Sequence, residues 1–339
     1  MTSKERVRAA VSFQPVDHVP SCIFDGGVWL TAQRGLSLHD FLYAENNGAD
    51  MLLDVYRETG TDICWVGNGL HSLGLKALGA KADYSRVGVS GEVGKLFEDI
   101  SDIENHDISE IRPKLEADED FQALLRQIRA VKAAVGDEKY VATVSGAPFT
   151  IAGMLIGVQT FMEAIFDEDE HLPALYDYAV ALSVIGAEMF LEAGANLICL
   201  GDPVASGDLI SQKMFEELAL PLEKRAFEQI KGAEILLLHI CGNTLPRLES
   251  LKTLPIQGFS LDSVDVGEAM RIADGKYAIF GNLSPFKVLQ EQTPEQISAL
   301  GRALCETAGK NGGFVLMPGC DITPATPLEN ITAMIGAPQ

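Results

Sequence analysis

The sequence predicts an α/β protein folded as a (β/α)₈ barrel, and three observations support this. Eight short apolar runs rich in β-branched residues recur along the 339 residues. Longer stretches with a helical spacing of apolar residues separate these runs, an alternation typical of βαβ units and a parallel sheet. No run is followed by a glycine-rich dinucleotide fingerprint, which favours a closed barrel over an open doubly wound sheet.

The apolar runs define the predicted strands, which in chain order are Val19–Phe24, Asp62–Val66, Tyr140–Val144, Asn196–Leu200, Ile235–Ile240, Gly258–Leu261, Tyr277–Phe280 and Gly313–Met317. Helical periodicity is clearest in Leu172–Ala193, and it also runs through Phe121–Val135, Gln212–Ile230 and Glu295–Ala308. TIM barrels commonly exceed 250 residues as one unit. We therefore expect a single barrel domain spanning residues 1–339.

The alternation is weakest from Leu73 to Glu116. Within this stretch a Gly/Ser-rich segment, Val87–Gly94, precedes an acidic run, Glu98–Glu110. This composition predicts an inserted hairpin and loop in the second βα connection, on the face where barrel enzymes build their active sites. The insertion would either cap the site or form a solvated surface loop.

Composition excludes several classes of function. A net charge of −22 would repel phosphate backbones and anionic lipid headgroups, so we expect no nucleic-acid or membrane partner. The N-terminus lacks the apolar core of a signal peptide, and no run approaches the roughly 18 apolar residues of a spanning helix. Six cysteines are too few for a disulfide scaffold of this length. These features predict a cytoplasmic protein.

Three side chains with metal-binding chemistry lie at the ends of two predicted strands. His239 and Cys241 end the fifth strand in LHICGN, and Cys320 follows the eighth in MPGCD. Catalytic residues of barrels sit at these carboxyl ends. Positions two apart on a strand share a face, so His239 and Cys241 can address one ion, with Cys320 completing the set across the mouth.

Imidazole and thiolates are good zinc ligands, and three protein ligands leave a fourth position for a reactant. The sequence therefore predicts a catalytic Zn²⁺ site. The alternative is a buried histidine with two core cysteines, since free cysteine is among the most buried residue types. The strand-end placement of all three residues favours the metal site.

Three further strand-end residues are candidate catalytic groups: Asp202, Asp262 and Asn282. Asp202 follows the fourth strand and could hydrogen-bond His239 or a substrate, or else it forms a turn before Pro203. Asp262 and Asn282 follow the sixth and seventh strands. We expect both to line the same mouth of the barrel.

The motif HICGNT, together with the distant Cys320, resembles the His-x-Cys…Cys zinc motif of the methylcobamide:coenzyme M methyltransferases. These enzymes belong to the uroporphyrinogen decarboxylase superfamily. Further likeness lies in SKERVRAAVSFQPVDHVP, SGAPFTIAGMLIGVQTFM, AGANLICLGDPVASGDLIS and GNLSP. The resemblance implies a zinc-dependent transfer of a methyl group between a methyl-cobalt corrinoid, supplied by a partner corrinoid protein, and a small thiol such as coenzyme M.

The same fold and zinc motif also allow other functions. The chain could be the first component of an O-demethylase, moving methyl from a methyl ether to a corrinoid protein. A cationic clamp for a sulfonate would favour the thiol reaction, whereas aromatic lining would favour the methyl ether. Phe24, Trp29 and Phe149 are candidates for such lining. A fourth protein ligand would instead indicate a non-catalytic zinc-binding barrel.

A decarboxylase is a further alternative within the superfamily. The resemblance implies that its members have an arginine-rich substrate segment after the first strand, whereas Cys22–Gly35 offers only Arg34. A polyanionic porphyrinogen would also meet a strongly negative field. The sequence therefore disfavours decarboxylation.

Overall fold

A computed structural model describes residues 1–24, 26–44, 48–67, 69–309 and 311–339. Seven parallel strands form a curled sheet in the order β1-β4-β5-β6-β7-β8-β9. Their bounds are β1 Ile63–Val66, β4 Tyr140–Gly146, β5 Leu197–Gly201, β6 Ile235–His239, β7 Gly258–Ser260, β8 Ala278–Leu283 and β9 Phe314–Pro318. Two short antiparallel strands, β2 Ala82–Asp83 and β3 Glu92–Val93, form a separate pair.

Helices surround this sheet and close one end of it. They are α1 Ser3–Val11, α2 Gly27–Gln33, α3 Leu38–Leu42, α4 Ala49–Thr59, α5 Leu73–Ala77, α6 Ile111–Ala117, α7 Glu119–Val135, α8 Pro148–Ile156, α9 Val158–Phe166, α10 Leu172–Glu192, α11 Gln212–Met214, α12 Leu220–Gln229, α13 Val266–Ala273, α14 Pro294–Ala308 and α15 Leu328–Gly336. Two π-helical turns, Phe215–Ala219 and Pro285–Gln290, lie among them. The architecture confirms the predicted α/β barrel.

Seven of the eight predicted strands are confirmed, and the first is wrong. Val19–Phe24 forms only an isolated bridge, between Ser21 and Leu316. Pro20 has no N–H to donate, and the N–H groups of Ser21 and Ile23 bond to side chains at residues 62 and 61 instead of a strand backbone. The segment still occupies the eighth strand position of the barrel, between β1 and β9. The Ser21 carbonyl accepts from the N–H of Asp62, just before β1, and the Cys22 N–H donates to the Leu316 carbonyl in β9.

The interior of the barrel follows from the two-residue period of its strands. Alternate residues face inward and form one buried cluster, whose members include Ile63, Trp65, Tyr140, Ala142, Leu197, Cys199, Ile235, Leu237, Ala278, Phe280, Val315 and Met317. The residues between them face outward and pack under the helices. The inward row of β6 continues from Leu237 to His239 at its carboxyl end. The register of this strand therefore directs His239 toward the mouth of the barrel.

The predicted helices are confirmed with small shifts at their ends. Leu172–Ala193 corresponds to α10, Glu295–Ala308 to α14, and Phe121–Val135 to α7, which begins two residues earlier. In α7 the Asp118 side chain caps the first turn by accepting from the Phe121 N–H. The predicted helix Gln212–Ile230 is divided into α11, a π-helical turn and α12.

The stretch Leu73–Glu116 contains more regular structure than its sequence indicates. Besides the pair β2 and β3, it includes α5, two short 3₁₀ helices and most of α6. The Asp99 and Asp107 side chains cap the two 3₁₀ helices by accepting backbone N–H bonds. The acidic run thus includes residues that begin short helical turns, a local role that its composition obscures.

Helix α10 is the one described helix that is long and apolar enough to cross a membrane. Most of its apolar stretch is buried inside the protein, and it packs against α8, α12 and β4. Its hydropathy therefore reflects its position as a core helix between the sheet and neighbouring helices.

Helix α1 closes the amino-terminal end of the barrel. Val7, Ala10 and Val11 join the buried interior cluster, and the Ala10 carbonyl accepts from the N–H of Gly313, just before β9. Arg6 Nη1 donates to Asp62 Oδ1 at 2.7 Å. The other Asp62 carboxylate oxygen accepts from the Ser21 N–H. Asp62 thereby links α1, β1 and the segment that occupies the eighth strand position.

Replacing Arg6 with methionine should destabilise the fold, because the buried Asp62 carboxylate would lose its cation. Breaking a buried pair costs about 3 kcal/mol or more, so we expect a loss of about 3 kcal/mol in unfolding free energy. Arg57→Met is the control, because Arg57 pairs with Asp54 on the exposed surface and such pairs contribute about 0–1 kcal/mol. Urea denaturation measures both changes, and equal losses would contradict the prediction.

Candidate metal centre

The side chains of His239, Cys241 and Cys320 meet at the carboxyl-terminal mouth of the barrel. His239 Nε2 lies 3.2 Å from Cys241 Sγ, and Cys241 Sγ lies 3.8 Å from Cys320 Sγ. All three potential ligand atoms lie within 4.8 Å of one another. Among the residues that the structure describes, this is the one such cluster of three or more histidine, cysteine, aspartate or glutamate side chains, and it contains no fourth residue of these types.

These distances match a tetrahedral zinc site. Two thiolates, each about 2.3 Å from a tetrahedral zinc, are separated by about 3.8 Å, and a thiolate and an imidazole nitrogen by about 3.6 Å. The two sulfurs are also too far apart for a disulfide, since that bond is about 2.05 Å long. The three residues could therefore hold zinc with small adjustments and leave one position open.

Glycines allow the two cysteine loops to approach their neighbours. Gly242, after Cys241, has φ +74°, and a Cβ there would lie 2.1 Å from a carboxylate oxygen of Asp208. Gly319, before Cys320, packs against Asp262, whose Oδ1 would be 3.0 Å from an added Cβ. Any side chain at Gly242 would clash and would adopt an unfavourable backbone conformation. The motif CG…GC thus reflects close packing of the loops.

The imidazole of His239 is held from two sides. Its Nδ1 lies 2.8 Å from the Ser260 hydroxyl at the end of β7, and its ring lies 4.8 Å from that of Phe24, centroid to centroid. The bond at Nδ1 leaves Nε2 facing the sulfurs, an arrangement common in metal-bound histidines. Ser260 is not among the candidates selected from the sequence. Its position at the carboxyl end of a strand is the same signal that identifies Asp202, Asp262 and Asn282 as candidates.

The pKa values of the two cysteines are shifted in opposite directions. The neighbouring Cys320 thiol lowers the pKa of Cys241 by hydrogen bonding to its sulfur. The same bond and burial raise the pKa of Cys320. Cys241 therefore loses its proton more easily than Cys320. A metal ion bound by both sulfurs would displace the protons of both thiols.

Asp202 does not contact the imidazole of His239. Its backbone N–H donates to the His239 carbonyl at 2.8 Å, while its buried Oδ1 accepts from the Thr150 hydroxyl at 2.6 Å. Burial raises the pKa of Asp202 to about 6. Burial, together with the adjacent Asp202 charge, raises the pKa of Glu223 well above its usual value. The sequence suggested that the Asp202 side chain hydrogen-bonds either His239 or a substrate. The structure shows no bond from this side chain to the imidazole of His239.

Asp262 and Asn282 lie beside the cluster but do not line the adjoining cavity. Asp262 Oδ2 accepts from the Gly242 N–H at 2.8 Å. Asn282 Nδ2 donates to the carbonyls of Asp262 and Val264 at 2.9 and 2.6 Å. Both side chains fix the backbone of neighbouring loops at the mouth of the barrel, and their part in the reaction stays a prediction.

A cavity of about 280 Å³ opens beside the three ligands. Ser90 and Gly91, from the inserted segment, form part of its wall, which favours the capping alternative for that insertion. His71 and Asp321 also line it. The surrounding protein lowers the pKa of His71 by desolvating its ring. Neither residue was selected from the sequence, although His71 follows β1 closely and Asp321 follows Cys320.

The predicted aromatic lining is only partly correct. Phe24 lines the cavity next to His239. Trp29 is buried and donates its indole N–H to the Thr326 carbonyl, and Phe149 packs edge-on against Phe161 in the core. A single-sequence pattern could not distinguish these two core aromatics from Phe24, which lies at the site.

Comparison with known proteins agrees with this architecture. The family model described as uroporphyrinogen decarboxylase (URO-D) matches residues 2–338. A methylcobamide:CoM methyltransferase, MtbA, of Methanosarcina acetivorans is 29% identical and covers 98% of this chain and 96% of its own. A methylated-thiol–coenzyme M methyltransferase of Methanosarcina mazei is 27% identical, covering 99% of this chain and 89% of its own. The solved structure of a methyltransferase from Methanosarcina mazei superposes with a TM-score of 0.88 at 26% identity, covering 99% of this chain and 98% of its own. Fold and sequence together establish that the chain belongs to the uroporphyrinogen decarboxylase family.

Proposed function

We propose that this chain is a zinc-dependent methyltransferase that transfers a methyl group between a corrinoid carried by a partner protein and a thiol. The cluster of His239, Cys241 and Cys320 beside a cavity is the observation that carries the proposal. The names of two relatives similar over nearly the full chain, which describe methyl transfer involving methylcobamide, a methylated thiol and coenzyme M, support it.

In this proposal the three side chains hold one zinc ion. Imidazole and thiolate ligands suit zinc, and three of them leave the fourth position to a reactant. When bound, zinc would act as a Lewis acid that lowers the pKa of a substrate thiol. Ser260 would orient His239 through Nδ1, so that Nε2 serves as the ligand.

The protein's share of the reaction is to position the reactants and exclude water. The substrate sulfur would lie at the cluster, with the rest of the molecule in the cavity. A carbon–sulfur bond would form as the cobalt–carbon bond of the corrinoid breaks. Both electrons of the cobalt–carbon bond would remain on cobalt. The proton of the thiol is released to solvent. In-line transfer requires the corrinoid to approach from the open mouth, so the wall of the cavity has to keep the thiol aligned.

We assign positioning roles to the three acidic and amide candidates. Asp262 would hold the Cys241 loop through Gly242 and the Cys320 loop through its contact with Gly319. Asn282 would fix the loop that carries Asp262. Asp202 would support His239 through the backbone and anchor Thr150. None of the three is placed against the reacting atoms.

The opposite direction of transfer is a second candidate. A methyl ether could donate its methyl to a reduced corrinoid at the same site, as in the first component of an O-demethylase. The apolar cavity and Phe24 favour it, because they suit an aromatic or alkyl ether. The three-ligand cluster argues against a zinc-stabilised barrel without catalysis, for which a fourth protein ligand would be expected.

The remaining proposals concern the whole protein. We infer one barrel domain over residues 1–339 and a cytoplasmic location. All six cysteines are free, which suits a compartment that keeps thiols reduced. The partners would be a corrinoid protein and a small thiol or methyl ether.

Activity can be measured with zinc-loaded protein, methylcobalamin and a thiol, by following loss of the cobalt–carbon absorbance and thioether formation. Ser260→Ala should lower the rate by about 10- to 100-fold, the usual effect of removing a partner of a metal-bound histidine. Ser298→Ala, on α14 away from the site, is the control and should match the wild type. Thioether formation that is insensitive to both substitutions would count against the proposed arrangement.

Metal analysis should find one zinc per chain. Cys320→Ser should weaken zinc affinity by about 10-fold or more, because an alcohol replaces a soft thiolate ligand. Cys305→Ser is the control, since Cys305 lies in α14 outside the cluster. Both variants should unfold near the wild-type temperature, because a core of this size does not depend on a metal. Equal zinc affinity in Cys320→Ser and wild type would contradict the ligand assignment.

The partner should dock on the carboxyl-terminal face, because the corrinoid is too large to enter the cavity whole. Leu209, in the loop after β5, and Phe286, after β8, expose large apolar side chains. Leu209→Asp and Phe286→Asp should slow transfer from a methylated corrinoid protein by about tenfold, the effect of losing about 1.4 kcal/mol of binding. Transfer from free methylcobalamin should change little. Leu300→Asp, an exposed position on α14, is the control and should slow neither transfer. Equal slowing with both donors would argue against docking on this face.

A further inference from the structure

Among the described residues, the wall of the cavity beside the metal cluster includes two histidines, His71 and His239, but no permanently charged cation that could bind an acidic group. No lysine or arginine lines it among the described residues, and 25 of the chain's 26 basic residues are described. Sulfonates, carboxylates and phosphates are normally held by arginine, lysine or backbone N–H groups. An anionic substrate would therefore have to be held by backbone N–H groups.

Two basic residues lie close in sequence to residues that line the cavity, and both already form ion pairs with carboxylates. Lys76 follows the lining residue Leu75, but its Nζ lies 2.7 Å from Asp118 and 2.9 Å from Asp120. Arg86 lies in the same insertion as Ser90 and bonds to Glu92. Each cation is thus neutralised by carboxylates outside the cavity wall.

A helix N-terminus at the cavity is also occupied. Helix α8 contributes Thr150, Ile151 and Met154 to the wall. Its first residue, Pro148, has no N–H, and the Thr150 hydroxyl and backbone N–H both bond to the carboxylate of Asp202. The protein's own carboxylate therefore takes the position that an anion would seek.

The wall of the cavity is negative at one end and apolar at the other. Asp321, next to Cys320, is the one acidic residue in the described wall, and it accepts from the Gly26 N–H at 2.8 Å. Away from the ligands the wall is formed by helices, with Leu182 and Phe190 from α10, Leu115 from α6 and Phe121 from α7. An apolar group would be well buried there, whereas an anion would be desolvated without a partner.

We propose that the substrate of this site is an uncharged molecule with a reactive sulfur or ether oxygen at one end and an apolar body, and that sulfonates are disfavoured. This rests on the proposed function for the reaction itself. The apolar body would lie between α8 and α10, and the reactive atom at the three ligands. Apolar thiols and alkyl or aryl methyl ethers fit this description, whereas a short sulfonated thiol does not.

Binding to the metal-free protein tests the substrate class independently of the reaction. Anisole and benzenesulfonate share a ring and differ in charge, so calorimetry with both isolates the effect of the anion. We expect anisole to bind at least about tenfold more tightly. Equal or tighter binding of benzenesulfonate, or no binding of anisole up to its solubility limit, would overturn the proposal.

Two substitutions locate the bound molecule. Gly186 lies on α10 with a normal helical backbone, and a Cβ there would meet only the Ser145 hydroxyl at 3.5 Å, so Gly186→Leu should fill the cavity and abolish anisole binding. Gly336→Leu, at an open position on α15, is the matched control. Met154→Lys should raise benzenesulfonate affinity by about tenfold or more by supplying the missing cation, whereas Met162→Lys on α9 should not. Retention of anisole binding in Gly186→Leu would overturn the assigned location.

Turnover separates this proposal from the proposed function. With zinc and methylcobalamin, kcat/KM for 2-phenylethanethiol should exceed that for 2-mercaptoethanesulfonate by about tenfold or more. A preference for the sulfonate would contradict the substrate class while leaving methyl transfer intact. If no thiol is methylated, the proposed function fails, and the anisole and benzenesulfonate affinities still decide which chemistry the cavity accepts.

Discussion

The inward register of β6 is the constraint on which the site depends. Because side chains alternate along a strand, the row that fills the barrel with Ile235 and Leu237 reaches the mouth as His239. A shift of one residue would turn the histidine toward the helices. The parallel partners β5 and β7 fix this register through backbone bonds, and β7 also supplies Ser260, which holds the ring. The alternation of side chains along β6 therefore specifies both the packing of the core and the position of His239 at the candidate site.

Charge determines what the site can accept. The protein is strongly acidic overall, and its cavity is lined by apolar groups with one carboxylate among the described residues. Neighbouring cations are paired, and the carboxylate of Asp202 accepts a hydrogen bond from the Thr150 hydroxyl in the first turn of α8. Two relatives whose names include coenzyme M are 29% and 27% identical to this chain over nearly its whole length. At that distance the lining of a cavity can change while the fold is kept.

Much of the fold, and the meeting of His239, Cys241 and Cys320 at one mouth of the barrel, could be predicted from the sequence, because period-two strands and strand-end chemistry are local signals. The failures have specific physical causes. Val19–Phe24 is not a strand because neighbouring side chains take the N–H groups of Ser21 and Ile23. The environment of Asp202 depends on Glu223, from helix α12 at the other end of the connection that follows β5, and single-sequence reasoning does not reveal such a contact. Ser260 and His71 could have been found by applying the strand-end rule to every polar residue.

The central claim is that one imidazole and two thiolates hold zinc with a position free for the substrate sulfur. X-ray absorption at the zinc edge tests it most directly, because nitrogen and sulfur ligands have distances of about 2.0 and 2.3 Å. We predict two sulfur ligands in the zinc-loaded protein, one in Cys320→Ser, and a third in the wild type after addition of 2-phenylethanethiol. A sulfur count that does not change in either case would contradict the account.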